Sequence, residues 1–188
     1  RMVDRLENEG QGLNLTEQVR DGILNHTGDD APATLEGRIV KVVDRVAYIN
    51  HDIDDALRAG VIDRGDLPAD EIAVLGETGS DRIETLVVDL LDNSATAGDI
   101  AQGEQVGGAM LRLREYMFEH VYLAPGAQQE RGRIETMLAA LFDHYAANPP
   151  PAQTEGAAEH ERVVDYLAGM TDRYAVRAHS ELAVPRGF

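Results

Sequence analysis

The chain has 188 residues, 43% of them hydrophobic, which is enough apolar material for one compact domain with a core. It contains no cysteine, so disulfides and thiolate metal sites are excluded, and this favours a cytoplasmic location. Its 34 acidic and 17 basic residues give a net charge of −17, so general nucleic-acid binding is not expected. No apolar run approaches the roughly 18 residues of a membrane-spanning helix, and we expect no membrane insertion.

The apolar spacing predicts an all-α fold, a multi-helix bundle of about seven helices without strands. The sequence opens inside the pattern of a helix that ends near residue 8, so we expect it to be part of a longer protein. Further helices are predicted at about 15–26, 34–59, 67–75, 81–94, 104–123, 127–147 and 157–182.

Polar pairs and glycines indicate where several of these helices begin and end. Asn14 stands three residues before Glu17, and Asp81 stands three before Glu84, which is the spacing of an N-terminal capping pair. Gly60 follows the longest helix and predicts its C-terminal end.

The helix over residues 34–59 carries the most informative pattern. At about 100° per residue, one face is apolar: Val42, Val46, Ile49, Ile53 and Ala56. A second apolar strip consists of Val40, Val43 and Ala47. Between the strips lies a polar stripe: Asp44, Tyr48, His51, Asp52 and Asp55. A helix that is apolar on two sides is expected inside a bundle, where buried carboxylates need a cation, a metal or a ligand. The alternative is an amphipathic helix whose polar stripe faces water.

Residues 44–52 read DRVAYINHD and resemble the segment of HD-superfamily deoxynucleoside triphosphate (dGTP-type) triphosphohydrolases that carries the last ligand of a His, His-Asp, Asp metal site. Three further stretches match the same family in the same order: 12–16 with 19–23, 116–119 with 121–122, and 165–175. The resemblance therefore runs along nearly the whole chain, as the C-terminal part of such a protein.

The resemblance implies roles for four residues of this helix. Asp44 would be the metal-ligating carboxylate, and the metal would be a divalent ion such as Mg²⁺ or Mn²⁺. Arg45 would lie near the triphosphate, while Tyr48 and Asp52 would contact the deoxyribose and its 3′-hydroxyl. Tyr48 and Asp52, four and eight residues after Asp44, lie about 6 and 12 Å further along the helix. One extended ligand could therefore contact all three residues along one face. No catalytic residue is identified.

The resemblance also implies an incomplete site. It makes residues 1–62 the C-terminal part of the HD-like core and residues 63–188 an accessory helical region. The family's first His, its His-Asp pair and its His-rich loop would lie before Arg1. The dipeptide His51-Asp52 is not that pair, because it follows Asp44 on the same helix. We therefore expect residues 1–188 alone to be inactive.

The function implied is hydrolysis of deoxynucleoside triphosphates to deoxynucleoside and tripolyphosphate, by a metal-dependent and homo-oligomeric enzyme. One alternative is another HD-type phosphohydrolase or phosphodiesterase, which would use Asp44 without needing Tyr48 and Asp52. The other is a non-catalytic helical module for regulation or oligomerisation.

Several further polar residues have structural interpretations as well as functional ones. His26 at a helix end is expected to interact with the helix dipole rather than to bind a ligand. Asp165, Asp172 and Arg173 are expected to form structural ion pairs. Helical spacing groups six residues into two sets: Arg112, Tyr116 and His120, and Arg114, Phe118 and Tyr122. The sequence does not show which set, if either, faces a pocket, and placement on the surface is the alternative.

Overall fold

A computed structural model describes residues 1–151 and 156–183 of the chain. In these ranges all regular structure is helical, which confirms the predicted all-α class. The helices are α1 (Glu17–Asn25), α2 (Leu35–Arg58), α3 (Ala69–Leu75), α4 (Gly79–Ala97), α5 (Glu104–Met117), α6 (Pro125–Ala147), α7 (Glu159–Ala168) and α8 (Asp172–Ala183). Single turns of π- or 3₁₀-helix lie at Met2–Leu6, Arg64–Asp66 and Phe118–Tyr122. Within the described ranges, no helix has the length and apolar character to cross a membrane.

The chain forms two compact units. The larger unit is Thr16–Ala127, and the smaller unit combines Arg1–Leu15 with Gln128–Phe188. The boundary near residue 62, which the family resemblance implies, stays a prediction.

The core of the larger unit is built on one face of α2. Four of the five residues predicted for the apolar face, Val46, Ile49, Ile53 and Ala56, are buried, and Val42 is half-buried. The four buried residues pack with buried side chains of α3, α4 and α5: Leu75, Leu86, Ala109, Met110, Leu113 and Met117. Each buried aliphatic side chain contributes about 1.5–3 kcal/mol, so this cluster accounts for much of the stability of the unit.

The second apolar strip of α2 is not covered in the larger unit. Val40 is 51% exposed and Val43 is 38% exposed, and Ala47 is exposed as well. The prediction that α2 is enclosed on two apolar sides is therefore wrong for this unit. The reason is that α4 and α5 both pack on the other side of the helix.

Two helices begin at different caps from those predicted. Thr16 caps α1, and its hydroxyl accepts the N–H of Val19 at 3.4 Å, whereas Asn14 has a φ of +49° before the helix. Thr78 caps α4, since its hydroxyl accepts the N–H of Asp81 at 3.2 Å. Asp81 is the third helical residue, and its carboxylate accepts hydrogen bonds from the Thr78 N–H at 3.2 Å and the Thr78 hydroxyl at 2.7 Å. These hydrogen bonds from Thr78 lower the pKa of Asp81. Both predicted caps were wrong for the same reason. In each case a threonine two or three residues away from the predicted cap also satisfies the spacing rule for a capping residue, and its hydroxyl is the group that caps the helix.

The smaller unit contains a break that the sequence did not predict. Residues 157–182 were expected to form one helix, but α7 ends before Gly169 and α8 begins at Asp172. The Thr171 hydroxyl accepts the N–H of Tyr174 at 3.3 Å, which caps the new helix. The first helix therefore ends before Gly169, and the hydroxyl of Thr171 caps the start of a second helix.

An ion pair ties the N-terminus of the chain to α7. The Arg1 guanidinium donates to the Asp165 carboxylate, which is largely buried, and this confirms the expected structural role of Asp165. Leu141 of α6 and Val163 of α7 are fully buried in this unit. The rings of Tyr145 and Tyr166 meet edge to face, with centroids 4.9 Å apart.

Candidate functional site

A cavity of about 500 Å³ lies in the larger unit beside the polar stripe of α2. One wall carries the four residues predicted to form the site: Asp44, Arg45, Tyr48 and Asp52. The facing wall comes from α5 and the turn after it: Leu111, Arg114, Met117, Phe118 and Tyr122. The third wall is the loop after α1, residues 26–29. The polar stripe thus faces a concave surface.

Not every residue of the predicted stripe lines this cavity. Asp44, Arg45 and Asp52 are half-buried, and Tyr48 is 61% exposed at the rim. His51 and Asp55 are exposed and lie outside the cavity lining. On an ideal helix the lining residues span about 140° of the circumference. His51 falls about 20° outside this sector, and Asp55 lies almost one turn beyond Asp52.

A carboxylate and a phenol meet inside the cavity. The Tyr122 hydroxyl donates a hydrogen bond to the Asp52 carboxylate. Burial raises the pKa of Tyr122 well above its ordinary value, and the hydrogen bond to Asp52 and the charge of Asp52 raise it further. The phenol is therefore a neutral donor at physiological pH. Because the only O–H of Tyr122 is donated to Asp52, the pair offers a ligand hydroxyl two acceptors, the carboxylate and the phenol oxygen.

The structure decides which of the two sets on α5 faces the cavity. Arg114, Phe118 and Tyr122 all line it. The Arg114 guanidinium lies over the Phe118 ring, 4.8 Å from its centroid, and the rings of Phe118 and Tyr122 meet edge to face at 5.0 Å. Arg114 and Arg45 thus give the cavity two cations.

The other set has structural contacts elsewhere. The Arg112 Nε donates to a carboxylate oxygen of Glu71 on α3 at 2.5 Å. Tyr116 and His120 stack on each other, with ring centroids 4.2 Å apart. Arg112 therefore resembles Arg114 in residue type and helix but lies outside the cavity, which makes it a matched control.

The loop that forms the third wall is held by Lys41. This lysine is only 9% exposed, and its ammonium group donates to the carbonyl oxygens of Asn25, Gly28 and Asp30 at 3.1, 2.8 and 2.5 Å. An ammonium has three donors, so all of them are used. The sequence pattern alone indicated no role for Lys41. Its position on the helix could have indicated one. Lys41 lies one turn before Arg45 and projects from the helix axis in nearly the same direction as Tyr48.

His26 follows the last residue of α1 and lines the same cavity. Its Nδ1 lies 2.6 Å from the carbonyl oxygen of Ile23. A carbonyl only accepts, so Nδ1 carries the proton in this contact. The expected interaction of His26 with the end of its helix is thereby observed.

The described residues do not form a metal centre by themselves. Within residues 1–151 and 156–183, no group of three or more His, Asp or Glu side chains is arranged to hold a metal ion. Asp44 is one carboxylate, and metal affinity depends on the number and geometry of several ligands. Its role as a metal ligand stays a prediction.

Comparison with known proteins supports the family resemblance. Residues 100–181 match the phosphohydrolase-associated domain. The chain is 42% identical, over 98% of its length, to a deoxyguanosinetriphosphate triphosphohydrolase-like protein of Caldanaerobacter subterraneus subsp. tengcongensis, of which it covers 56%. It is 38% identical over 99% of its length to a protein of the same name from Clostridium perfringens strain 13, of which it covers 59%. The chain thus spans somewhat more than half the length of these curated relatives, and the resemblance predicted from the sequence is confirmed.

Proposed function

We propose that residues 1–188 are part of a deoxynucleoside triphosphate triphosphohydrolase of the dGTPase-like kind, and that the cavity beside α2 binds its nucleotide. The names of the relatives support the class of enzyme. The observation that carries the proposal is the composition of one cavity, which combines two cations, Arg45 and Arg114, with the hydrogen-bonded pair Asp52 and Tyr122.

The two arginines suit the phosphate end of a nucleotide. A chain with a net charge of −17 repels a triphosphate unless local cations offset that field. Guanidinium groups bind phosphate oxygens with two parallel hydrogen bonds and stay charged at all physiological pH values. Arg45 and Arg114 stand on facing walls of the cavity, on α2 and α5, so they can hold a polyphosphate from two sides.

The carboxylate and phenol suit the sugar end. The Asp52 carboxylate can accept a hydrogen bond from a sugar hydroxyl, and the Tyr122 phenol already occupies one of its oxygens. Tyr48 stands at the rim of the same cavity, one turn before Asp52. A site built to bond a hydroxyl discriminates strongly against ligands that lack it, because its own polar groups would be left unpaired.

The proposed reaction yields a deoxynucleoside and tripolyphosphate. The oxygen of water bonds to the α-phosphorus, the bond between this phosphorus and the 5′ oxygen breaks, and the 5′ oxygen leaves with a proton. We propose a divalent metal for this protein, with Asp44 as one ligand. The described residues do not complete such a centre, so they are assigned only to binding and orienting the nucleotide.

A second candidate function is a nucleotide-binding regulatory module without catalysis. The observation that favours it is the single carboxylate at Asp44, which has no cluster of further metal ligands around it in the described part of the chain. Both candidates require the cavity to bind a nucleotide, and they differ in whether the whole protein turns it over.

The test of the cavity is a comparison of two arginine variants by isothermal titration calorimetry with dGTP. Arg114→Gln is expected to weaken binding roughly tenfold or more, because a charge-assisted hydrogen bond contributes about 1.5–3 kcal/mol. Arg112→Gln makes the same chemical change on the same helix outside the cavity and should leave dGTP affinity unchanged. Equal losses in the two variants would contradict the assignment of the cavity.

A further inference from the structure

A second cavity, of about 660 Å³, lies in the larger unit where the C-terminal end of α2 meets the N-terminal end of α4. It shares no lining residue with the nucleotide cavity. Arg58, Arg64 and Arg82 line it together with two acids, Asp54 and Glu77. The lining thus carries three cations and two acids, and one of the cations, Arg58, is paired with Asp55 outside the lining, on a chain whose net charge is −17.

Arg82 is buried with part of its hydrogen-bonding capacity unused. It is 1% exposed, its Nε donates to the Asn50 side chain at 2.8 Å, and its Nη1 donates to the Glu77 carbonyl at 3.1 Å. Its Nη2 has no hydrogen-bond acceptor within the described ranges. The nearest carboxylate oxygen, on Asp54, is 3.6 Å away, which is too far for a hydrogen bond. A buried donor without an acceptor is costly, so an oxygen ligand here would be stabilising.

A second cation adds to this unsatisfied charge. Arg64 lies on the turn Arg64–Asp66 and is close enough for its charge to lower the pKa of Arg82, after the larger effect of burial. Arg58 is offset by its ion pair with Asp55 at 3.1 Å. An anion between Arg64 and Arg82 would remove the repulsion between the two guanidinium groups.

The N-terminal end of α4 also favours an anion. Gly79 is the first residue of this 19-residue helix and lines the cavity. The first N–H groups of a helix lack partners within it, and the helix dipole adds positive potential there. A Cβ atom at Gly79 would lie 3.0 Å from an Asp54 carboxylate oxygen. The Asp54 carboxylate is therefore already close to this end of α4.

We propose that this cavity binds an oxyanion of the phosphate class through Arg64, Arg82 and the first N–H groups of α4. The apolar part of the molecule that carries it would lie on three side chains of the cavity wall: Leu57, Leu67 and Ile72. Asp54 is the competing anion of the protein itself, and a phosphate must displace it to reach Arg82. This site is separate from the nucleotide cavity and does not depend on the proposed function.

The test is nuclear magnetic resonance of the whole 188-residue chain titrated with inorganic phosphate, pyrophosphate and phenyl phosphate at constant ionic strength. Saturable shifts of the Gly79 and Ser80 amide signals and of the Arg82 Nε–H signal are expected, and sodium chloride should not reproduce them. Tighter binding of phenyl phosphate would support the apolar contact, and equal affinities would overturn that part of the proposal. Shifts that do not saturate, or that occur only around the nucleotide cavity, would overturn the site.

Two variants with opposite expected effects make the test specific. Arg64→Gln should weaken phosphate binding roughly tenfold, because it removes a charge-assisted contact. Asp54→Asn should strengthen binding, because it neutralises the competing carboxylate. The controls Arg131→Gln on α6 and Asp92→Asn on α4 make the same charge changes at exposed residues that do not line the cavity. If each control matched its partner variant, binding would reflect net charge alone and the site would be refuted.

Discussion

Tyr122 and Asp52 form the contact that distinguishes this cavity from an ordinary polar groove. The phenol donates to the carboxylate, and its pKa is raised first by burial and then by that carboxylate. The variant Asp52→Asn removes the charge and the strong acceptor, so the pKa of Tyr122 should fall while burial still keeps it above the ordinary value. An ultraviolet titration of the variant, referenced to the double variant Asp52→Asn with Tyr122→Phe, would measure it.

The control for this titration is Asp54→Asn, which removes a neighbouring carboxylate that does not line the nucleotide cavity. It should leave the pKa of Tyr122 unchanged. If Asp54→Asn lowers that pKa as much as Asp52→Asn does, the phenol responds to the general negative field of the chain, and the specific pair would be refuted.

The sequence located the residues of α2 at this site but not those that face them. Asp44, Arg45, Tyr48 and Asp52 share one helix, so their spacing alone predicts a common face. The partners on α5 could not be chosen, because Arg112 and Arg114 are equivalent until the packing of α3 against α5 is known. Roles for the α2 residues beyond their shared cavity stay predictions.

At the scale of the secondary-structure element, the loop after α1 depends on one side chain of α2. The variant Lys41→Met leaves three carbonyl groups, on residues 25, 28 and 30, without their donor. Hydrogen bonds to a charged group contribute about 1.5–3 kcal/mol, so the free energy of unfolding should fall by about that much. Hydrogen exchange should also accelerate in residues 25–30 while the α4 amides keep their protection.

The matched control is Arg58→Met, which removes a cation from the other end of α2, where the side chain is 77% exposed. It should leave exchange in residues 25–30 unchanged. Unaltered exchange in Lys41→Met would show that the loop is held by other contacts. Because His26 and Asp29 line the cavity beside α2, a loosened loop should also weaken the nucleotide binding proposed for it.

The contact between α3 and α5 predicts a pH dependence of stability. The hydrogen bond from Arg112 lowers the pKa of Glu71 below its ordinary value. A carboxyl group with a lowered pKa in the folded state stabilises the fold above its unfolded pKa, and this contribution is lost as the pH falls through the folded pKa. The difference in unfolding free energy between wild type and Arg112→Gln should therefore be largest near neutral pH and shrink in acid.

Chemical denaturation of both proteins between neutral pH and about pH 3, below the ordinary range of glutamate, measures this difference. A difference that stays constant over that range would mean that Arg112 contributes through packing of its aliphatic part and not through its charge. Because Arg112 is 59% exposed, solvent screening keeps the electrostatic contribution small.

Element boundaries were less predictable than element identity. Helical structure is present in each predicted helical segment of the described residues, since apolar periodicity indicates which face is buried. Three segments differ in detail: residues 1–8 contain only the turn Met2–Leu6, the helix predicted at 104–123 ends at Met117 before a π turn, and residues 157–182 form two helices. The caps at Thr16 and Thr78 were missed because several hydroxyl and carboxyl residues near each start satisfy the same rule. The break at Gly169 was missed because a single glycine near a helix end does not show whether a new helix follows.

At the scale of the whole molecule, the proposal that catalysis needs metal ligands beyond Asp44 can be tested on this chain. The described residues form no metal centre, and the chain spans 56% of the relative from Caldanaerobacter subterraneus and 59% of the relative from Clostridium perfringens strain 13. We predict that the purified 188-residue chain releases no tripolyphosphate from any deoxynucleoside triphosphate. Clear metal-dependent turnover that is lost in Asp44→Ala would contradict this. Homo-oligomerisation and a cytoplasmic location stay predictions.

The most direct test of the central claim is the hydrolysis of several dNTPs and NTPs by the protein that contains this chain, with metal content assayed in parallel. Asp44→Ala should lose metal and activity together, because a ligand is removed. Tyr48→Phe and Asp52→Asn should keep the metal but lower kcat/KM by about 1–3 kcal/mol in transition-state stabilisation, the contribution of a hydrogen bond between the sugar and a polar or charged side chain. Unchanged kinetics in both the Tyr48 and Asp52 variants would contradict the proposed function, because the cavity beside α2 would then not bind the sugar of a deoxynucleotide.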